Sequence, residues 1–315
     1  MRASTYLKLV TVLLVPILVV GVCGCADKTV TSSKPAVYDL GVGLFGPNNN
    51  AADKTAPLRY DVPANGIFKA NYVTDTQTGG KRLLVIALDN GKQTEFTLNG
   101  DSGLGHTIVA LSGQHTFSMV FGPFDAGLHN IVVLAIADPD NHQLDSTFRA
   151  ATATMTYPTK PLSLIVGGSS LAHLSAAAPP GESVPDSNYG DIALAPTDNM
   201  KLKTWLTREA KAGEQIDCFV HLGNPSTVAI PYTLCVLLNG LQVPIMPDGA
   251  AVVSGGMKAG QRLILPIKLT APDQPGTYEL MSVVGINPFV MQPKTTGAKT
   301  TTFYIGSTRT ALIVK

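Results

Sequence analysis

Short stretches in which apolar and polar residues alternate, bounded by Gly, Pro, Asn or Asp, recur along most of the chain from Ile67 onward. Alternation of period two over four to eight residues marks a strand with one buried face. The pattern predicts strands over Ile67–Val73, Leu83–Leu88, Thr94–Leu98, His106–Leu111, His115–Phe121 and His129–Ala137, with a last stretch from Phe148 through Tyr157 to Val166. A second series follows over Ile216–Leu222, Ile230–Leu238, Leu241–Ile245, Arg262–Thr270, Thr277–Ile286, Thr301–Tyr304 and Ala311–Val314. Three segments break the alternation: Leu83–Leu88, Leu128 with Ile131–Ile136, and Leu234–Leu238 are apolar throughout. A strand with one solvated face should alternate, so these runs predict cover on both faces. The cover is the other half of the chain, the 169–178 segment or another protein. The expectation drawn here is that the two halves pack closely.

The two series are copies. Asn90-Gly91 recurs as Asn239-Gly240, Gln93 as Gln242, Gly100 as Gly249, Gly127 as Gly276 and Pro139 as Pro288, at a spacing of 149 residues. One supersecondary pattern must therefore fold twice. About seven short strands per copy, with turns every eight to twelve residues, predict an all-β chain of two tandem β-sandwiches. The stretch Ala271-Pro272-Asp273-Gln274-Pro275-Gly276-Thr277-Tyr278, followed by alternating Leu280, Ser282, Val284 and Ile286, resembles bacterial Ig-like and fibronectin-III-like domains. That resemblance implies a tyrosine corner at Tyr278, with His129 in its place in the first copy. The predicted organisation is residues 1–24 signal peptide, 25–54 flexible tether, 55–166 first sandwich, 167–199 linker, and 200–315 second sandwich. Within the linker, 169–178 reads as a short helix stopped by Pro179-Pro180-Gly181.

Arg2 and Lys8 precede an apolar stretch from Leu9 to Val22, too short for a comfortable membrane span of about 20 residues. Val22-Cys23-Gly24-Cys25 resembles a bacterial lipobox, with Cys23 where Ala or Ser is common. The resemblance implies lipidation of Cys25 and a membrane-anchored protein outside the cytoplasm; the alternative is cleavage after Ala26 and secretion. Tyr38-Asp39-Leu40-Gly41 resembles, over four residues, the start of some ABC-transport auxiliary lipoproteins.

Composition narrows the function. Charged residues make up 14% of the chain, the net charge is +1, and no basic run exists, so nucleic acid is not an expected partner. Six scattered histidines sit in no recognisable nucleophile motif, so the chain reads as a non-enzyme, and no cofactor is implied. Asp138-Pro139-Asp140-Asn141-His142 gathers oxygen ligands, with Asp138 and Asp140 as weak calcium candidates, but the same residues are standard turn chemistry. Cys218 and Cys235 fall on successive strands; a disulfide and two separate buried thiols both stay open. The loop aligned with the acidic one presents Phe289, Val290 and Met291, a candidate contact for a partner, unless these side chains cap their own core. The expected role is a protein-interaction or structural module of the cell envelope, with another envelope protein as partner. The alternative is a carbohydrate- or cell-wall-binding sandwich.

Overall fold

Asn90 and Gly91 have φ of 49° and 86°, and Asn239 and Gly240 have 48° and 78°. Two consecutive left-handed residues make the turn whose twist suits a two-residue hairpin, which Asn-Gly adopts at little cost. The computed structural model describes residues 39–49, 56–145, 149, 155–168, 182–185, 192–198, 207–294 and 302–315, and places residues 34–315 in one compact unit. Each copy folds around one such hairpin.

The first copy comprises β1 (Leu40–Phe45), β2 (Arg59–Val62), β3 (Phe68–Thr76), β4 (Lys81–Asp89), β5 (Lys92–Thr94), β6 (Phe96–Leu98), β7 (Asp101–Gly103), β8 (Gly105–Ala110), β9 (Gly113–Phe121), β10 (Gly127–Ala137), β11 (Thr156–Pro158) and β12 (Leu162–Val166). One sheet runs β1-β3-β9-β6-β7; the other runs β2-β12-β10-β4-β5, with β11 on β10 and β8 on β4. The second copy comprises β13 (Glu182–Pro185), β14 (Ile192–Ala195), β15 (Thr207–Ala210), β16 (Gln215–Asn224), β17 (Ile230–Leu238), β18 (Leu241–Val243), β19 (Val252–Met257), β20 (Gln261–Thr270), β21 (Gly276–Ile286), β22 (Phe303–Gly306) and β23 (Thr310–Val314). Its sheets run β13-β20-β16-β14 and β15-β23-β21-β17-β18, with β19 on β17 and β22 on β21. The architecture is all-β, two tandem Ig-like sandwiches built from one repeat.

The repeat reaches further upstream than the sequence pattern indicates. Leu40–Phe45 lies within the span read as tether, yet it pairs with β3, placing Gly43 opposite Val73. In the second copy β14, inside the span read as linker, places Ile192 opposite Leu222. Both residues of that pair are displaced by the same 149 positions, so β1 and β14 are equivalent edge strands. The linker also supplies β13, paired with β20. The helix expected over 169–178 lies outside the described residues. Arg149, in the stretch read as extended, is helical and donates its backbone N–H to Asp145 O at 3.0 Å.

The continuous apolar runs have the two-sided cover they call for. Along β4, Val85 and Ala87 enter the first sandwich's own core, while Leu84, Ile86 and Leu88 point the other way. Along β10, Ile131 and Val133 face inward and Val132, Leu134 and Ile136 face outward. The second copy repeats the division, with Leu234 and Val236 inward against Cys235 and Leu237 outward on β17, and Leu280 and Val284 inward against Met281 and Val283 on β21. The outward sets of both copies join Tyr304 in one buried cluster. The sandwiches are therefore stacked face to face through an apolar layer.

This layer has an approximate two-fold relation. Gln93 N donates to Gln242 Oε1 at 2.9 Å and Gln242 N donates to Gln93 Oε1 at 2.7 Å. Gln93 Nε2 donates to Gly240 O and Gln242 Nε2 to Gly91 O, at 2.9 and 3.1 Å. Self-complementary contacts of this kind are what a two-fold homodimer makes between identical patches. The turn glycines serve the same contact, since a Cβ on Gly91 would lie 2.7 Å from Thr233 Oγ1 and one on Gly240 would strike Leu84 Cδ2.

Candidate functional site

A pair of clasps across the interface and a cleft in the first copy gather polar side chains among the described residues. The clasps come from equivalent loops. After β21, the second copy's loop crosses to the first sandwich, where Asn130 Nδ2 donates to Pro288 O at 2.5 Å and to Val290 O at 3.3 Å. Gln292 N donates to Ser163 Oγ at 2.8 Å, and Arg59 Nη1 lies 2.8 Å from Met291 Sδ. After β10, the first copy's loop sends Arg149 to Glu279, the counterpart of Asn130. Arg149 Nη1 donates to Glu279 Oε1 and Oε2 at 2.5 and 2.7 Å. Arg309 Nε sits 3.4 Å from Glu279 Oε2, while its Nη1 and Nη2 donate to Ala137 O and Asp138 O at 2.7 and 3.0 Å. All three charged side chains are buried. Burial pulls the Arg309 guanidinium below its ordinary range, against the opposing pull of Glu279.

The Phe289–Met291 loop is thus held by the first sandwich. Phe289 and Met291 are half-buried and Val290 is exposed. The loop's docking site is neither its own core nor, for its backbone carbonyls, a separate protein. Cys218 and Cys235 are free: Cys218 lies in the second sandwich's core and Cys235 in the layer between sandwiches. The disulfide alternative falls because alternate residues on a strand face opposite sides. Burial pushes both thiols up to about 12. Native protein should accordingly leave both thiols unreacted with a disulfide reagent at pH 8, and denaturant should release both. Rapid native labelling of either would contradict their placement. Asp138 and Asp140 sit in a turn in which Asn141 N donates to Asp138 O at 3.1 Å, and Asp140 Oδ2 pairs with Arg82 Nη1 at 2.5 Å. Among the described residues no group of three or more His, Cys, Asp or Glu is placed to hold a metal. Cys25 lies outside the described residues.

The corner expectation holds in both copies. Tyr278 Oη donates to Gln274 O at 2.8 Å, and His129 Nε2 lies 3.0 Å from Asp125 O, each four residues back. His129 does more than the tyrosine. Its Nδ1 lies 2.6 Å from Asp89 Oδ2, and its ring packs on Phe124 with centroids 4.9 Å apart. The Asp89 hydrogen bond is the largest cause holding the imidazole above its usual 6.5, with burial opposing. A raised folded-state value means this stabilisation is complete below about pH 6.5 and is lost as pH climbs through the folded-state value. Wild-type unfolding free energy should contain a component that falls with rising pH on the alkaline side of 6.5. His129→Tyr, which imports the second copy's corner, should remove that component; an unchanged pH profile would contradict the pairing.

His129 also borders a cleft of about 430 Å³ between the β4–β5 hairpin and the loop Gly122–Asp125. Asp89, Lys92, Thr94 and Glu95 line one side and Asp125 the other. The sequence pattern gives no warning of it, because its residues come from three separate segments. Comparing the copies does: at the same 149-residue displacement stand Leu238, Leu241, Val243, Pro244 and Gln274.

No family model matches the chain, and no curated protein matches it in sequence. Among solved structures, red sea bream transglutaminase is similar at 10% identity and TM-score 0.25, over 89% of this chain and 32% of that one. The CARDB domain of the PF1109 protein from Pyrococcus furiosus is similar at 13% identity and TM-score 0.24, over 42% of this chain and 90% of that one. The C-terminal domain of the Streptococcus agalactiae AgI/II polypeptide BspA is similar at 9% identity and TM-score 0.23, over 87% of this chain and 99% of that one. Scores this low carry no argument about activity, ligand or partner.

Proposed function

We propose that the chain is an exported, lipid-anchored protein of the cell envelope that acts without catalysis, as an interaction or structural module with another envelope protein as its partner. The observation that carries this reading is the commitment of the one histidine bordering the cleft. Both ring nitrogens of His129 are bonded, to Asp89 Oδ2 and to Asp125 O, so no nitrogen is left to take a proton from a nucleophile. The reciprocal clasps add to it, since they fix two sandwiches as one rigid platform and make no reactive group available. The apolar stretch from Leu9 to Val22, with Cys25 three residues beyond it, supports export and anchoring.

Labelled palmitate supplied to growing cells tests the anchor: it should be incorporated into the wild-type protein and not into Cys25→Ser. Equal labelling of both, or of neither, contradicts anchoring at that residue. Crosslinking in intact cells followed by pull-down tests the role, which predicts a specific envelope protein as the principal product.

A second reading, a carbohydrate-binding sandwich, has one observation in its favour. The cleft joins charged and polar groups to Pro123 and Phe124, the second copy has mostly apolar residues in place of the charged ones, and nothing in the shared fold requires those charges.

A further inference from the structure

We infer that the cleft beside His129 is a saccharide-binding site of the first copy; the inference rests on the second reading above and assigns it a place and residues. The internal duplicate is the control that a single fold rarely offers. Leu238 and Tyr278 fill the positions of Asp89 and His129 in a sandwich with the same strands and the same corner hydrogen bond. The fold therefore closes without the acid, the imidazole or the charges at 92 and 95. Their presence in one copy alone is a feature of surface chemistry.

The chemistry of the walls selects the ligand. Lys92 donates only, Glu95 and Asp125 accept only, and the Thr94 hydroxyl does both. Lys92, Glu95 and Asp125 are exposed. An apolar ligand satisfies none of these groups, and a lone cation or anion satisfies one sign and meets the other. Hydroxyls donate and accept at each position, so a polyol ring meets both walls at once. A volume of about 430 Å³ falls in the range of about 300–1,000 Å³ usual for small-ligand pockets. The Asp89–His129 pair borders the cleft with these residues and ties the hairpin to the strand that follows the Gly122–Asp125 loop. It acts as a positioning pair for the walls that carry Lys92, Glu95 and Asp125.

The test uses the detergent-solubilised full-length protein and ligand-observed NMR with neutral, amino and acidic oligosaccharides released from cell-wall polysaccharide. At least one class should bind the wild type. The double variant Glu95→Gln/Asp125→Asn should weaken that binding at least tenfold, and Lys92→Gln should also weaken it, with unfolding midpoints unchanged. Leu241→Gln, the mirror position in the second copy, should leave binding intact. Binding that survives the Glu95/Asp125 and Lys92 variants overturns this site but leaves the carbohydrate reading standing. No binding by any saccharide overturns both. Selective binding of a basic peptide, with no saccharide bound, overturns the inference in favour of ionic docking of a protein.

Discussion

Glu279→Leu is expected to lower the free energy of unfolding by about 3–5 kcal/mol, because it removes the buried carboxylate that two buried guanidinium groups share. Arg149 donates twice to this carboxylate and Arg309 approaches it from the other side. Arg309 also donates to the carbonyls of Ala137 and Asp138 and feels the Asp138 carboxylate, so part of its charge stays offset in the variant. Removing one guanidinium together with the carboxylate should relieve part of the cost. Arg149→Met combined with Glu279→Leu is therefore expected to lose less than the two single variants added together, as residues in one network do. Equilibrium denaturation of the four proteins reads this directly. A loss of under about 1 kcal/mol for Glu279→Leu would match an exposed ion pair and would contradict the burial of this cluster.

Leu134→Asp and Val283→Asp, one on each side of the layer between sandwiches, are expected to destabilise the protein by several kcal/mol each. Both side chains are buried in the shared apolar cluster, at 1% exposure. A carboxylate there meets apolar side chains from the opposite sandwich. The layer can respond by parting, so unfolding should split into two transitions where the wild type is expected to show one. Val120→Asp is the matched control, since Val120 lies on the outer face of its sheet opposite exposed Lys69 and should change stability by no more than about 0.5 kcal/mol. Equal effects at the buried and outer positions would mean that the layer is not a packed interface.

Much of this architecture is legible before any coordinates. The Asn-Gly pairs mark the hairpins because only a few residue types accept two successive left-handed conformations. The runs at 83–88, 131–136 and 234–238 announce a second buried face because solvent on one side would force polar residues into every other place. Tyr278 and His129 declare the corner by their place two residues after a glycine. Other features are written too locally or too diffusely to read. Leu40–Phe45 and Ile192–Ala195 are short edge strands, six and four residues long, without a clean alternation to set them apart from loop. Glu279 and Asn130 occupy one repeat position, and neither neighbourhood shows that each meets the other copy's loop. Phe289, Val290 and Met291 look like an exposed apolar tip because the surface that holds them lies some 160 residues away in sequence. The cleft residues are separated along the chain, and only the fold brings them together.

Small-angle scattering of residues 34–315 tests the face-to-face stacking most directly. Residues 34–315 packed as one unit should give a radius of gyration of roughly 19 Å. The same chain carrying both Leu134→Asp and Val283→Asp should expand. A wild-type value of roughly 25 Å or more, with the paired maxima of two separate sandwiches, would contradict the account.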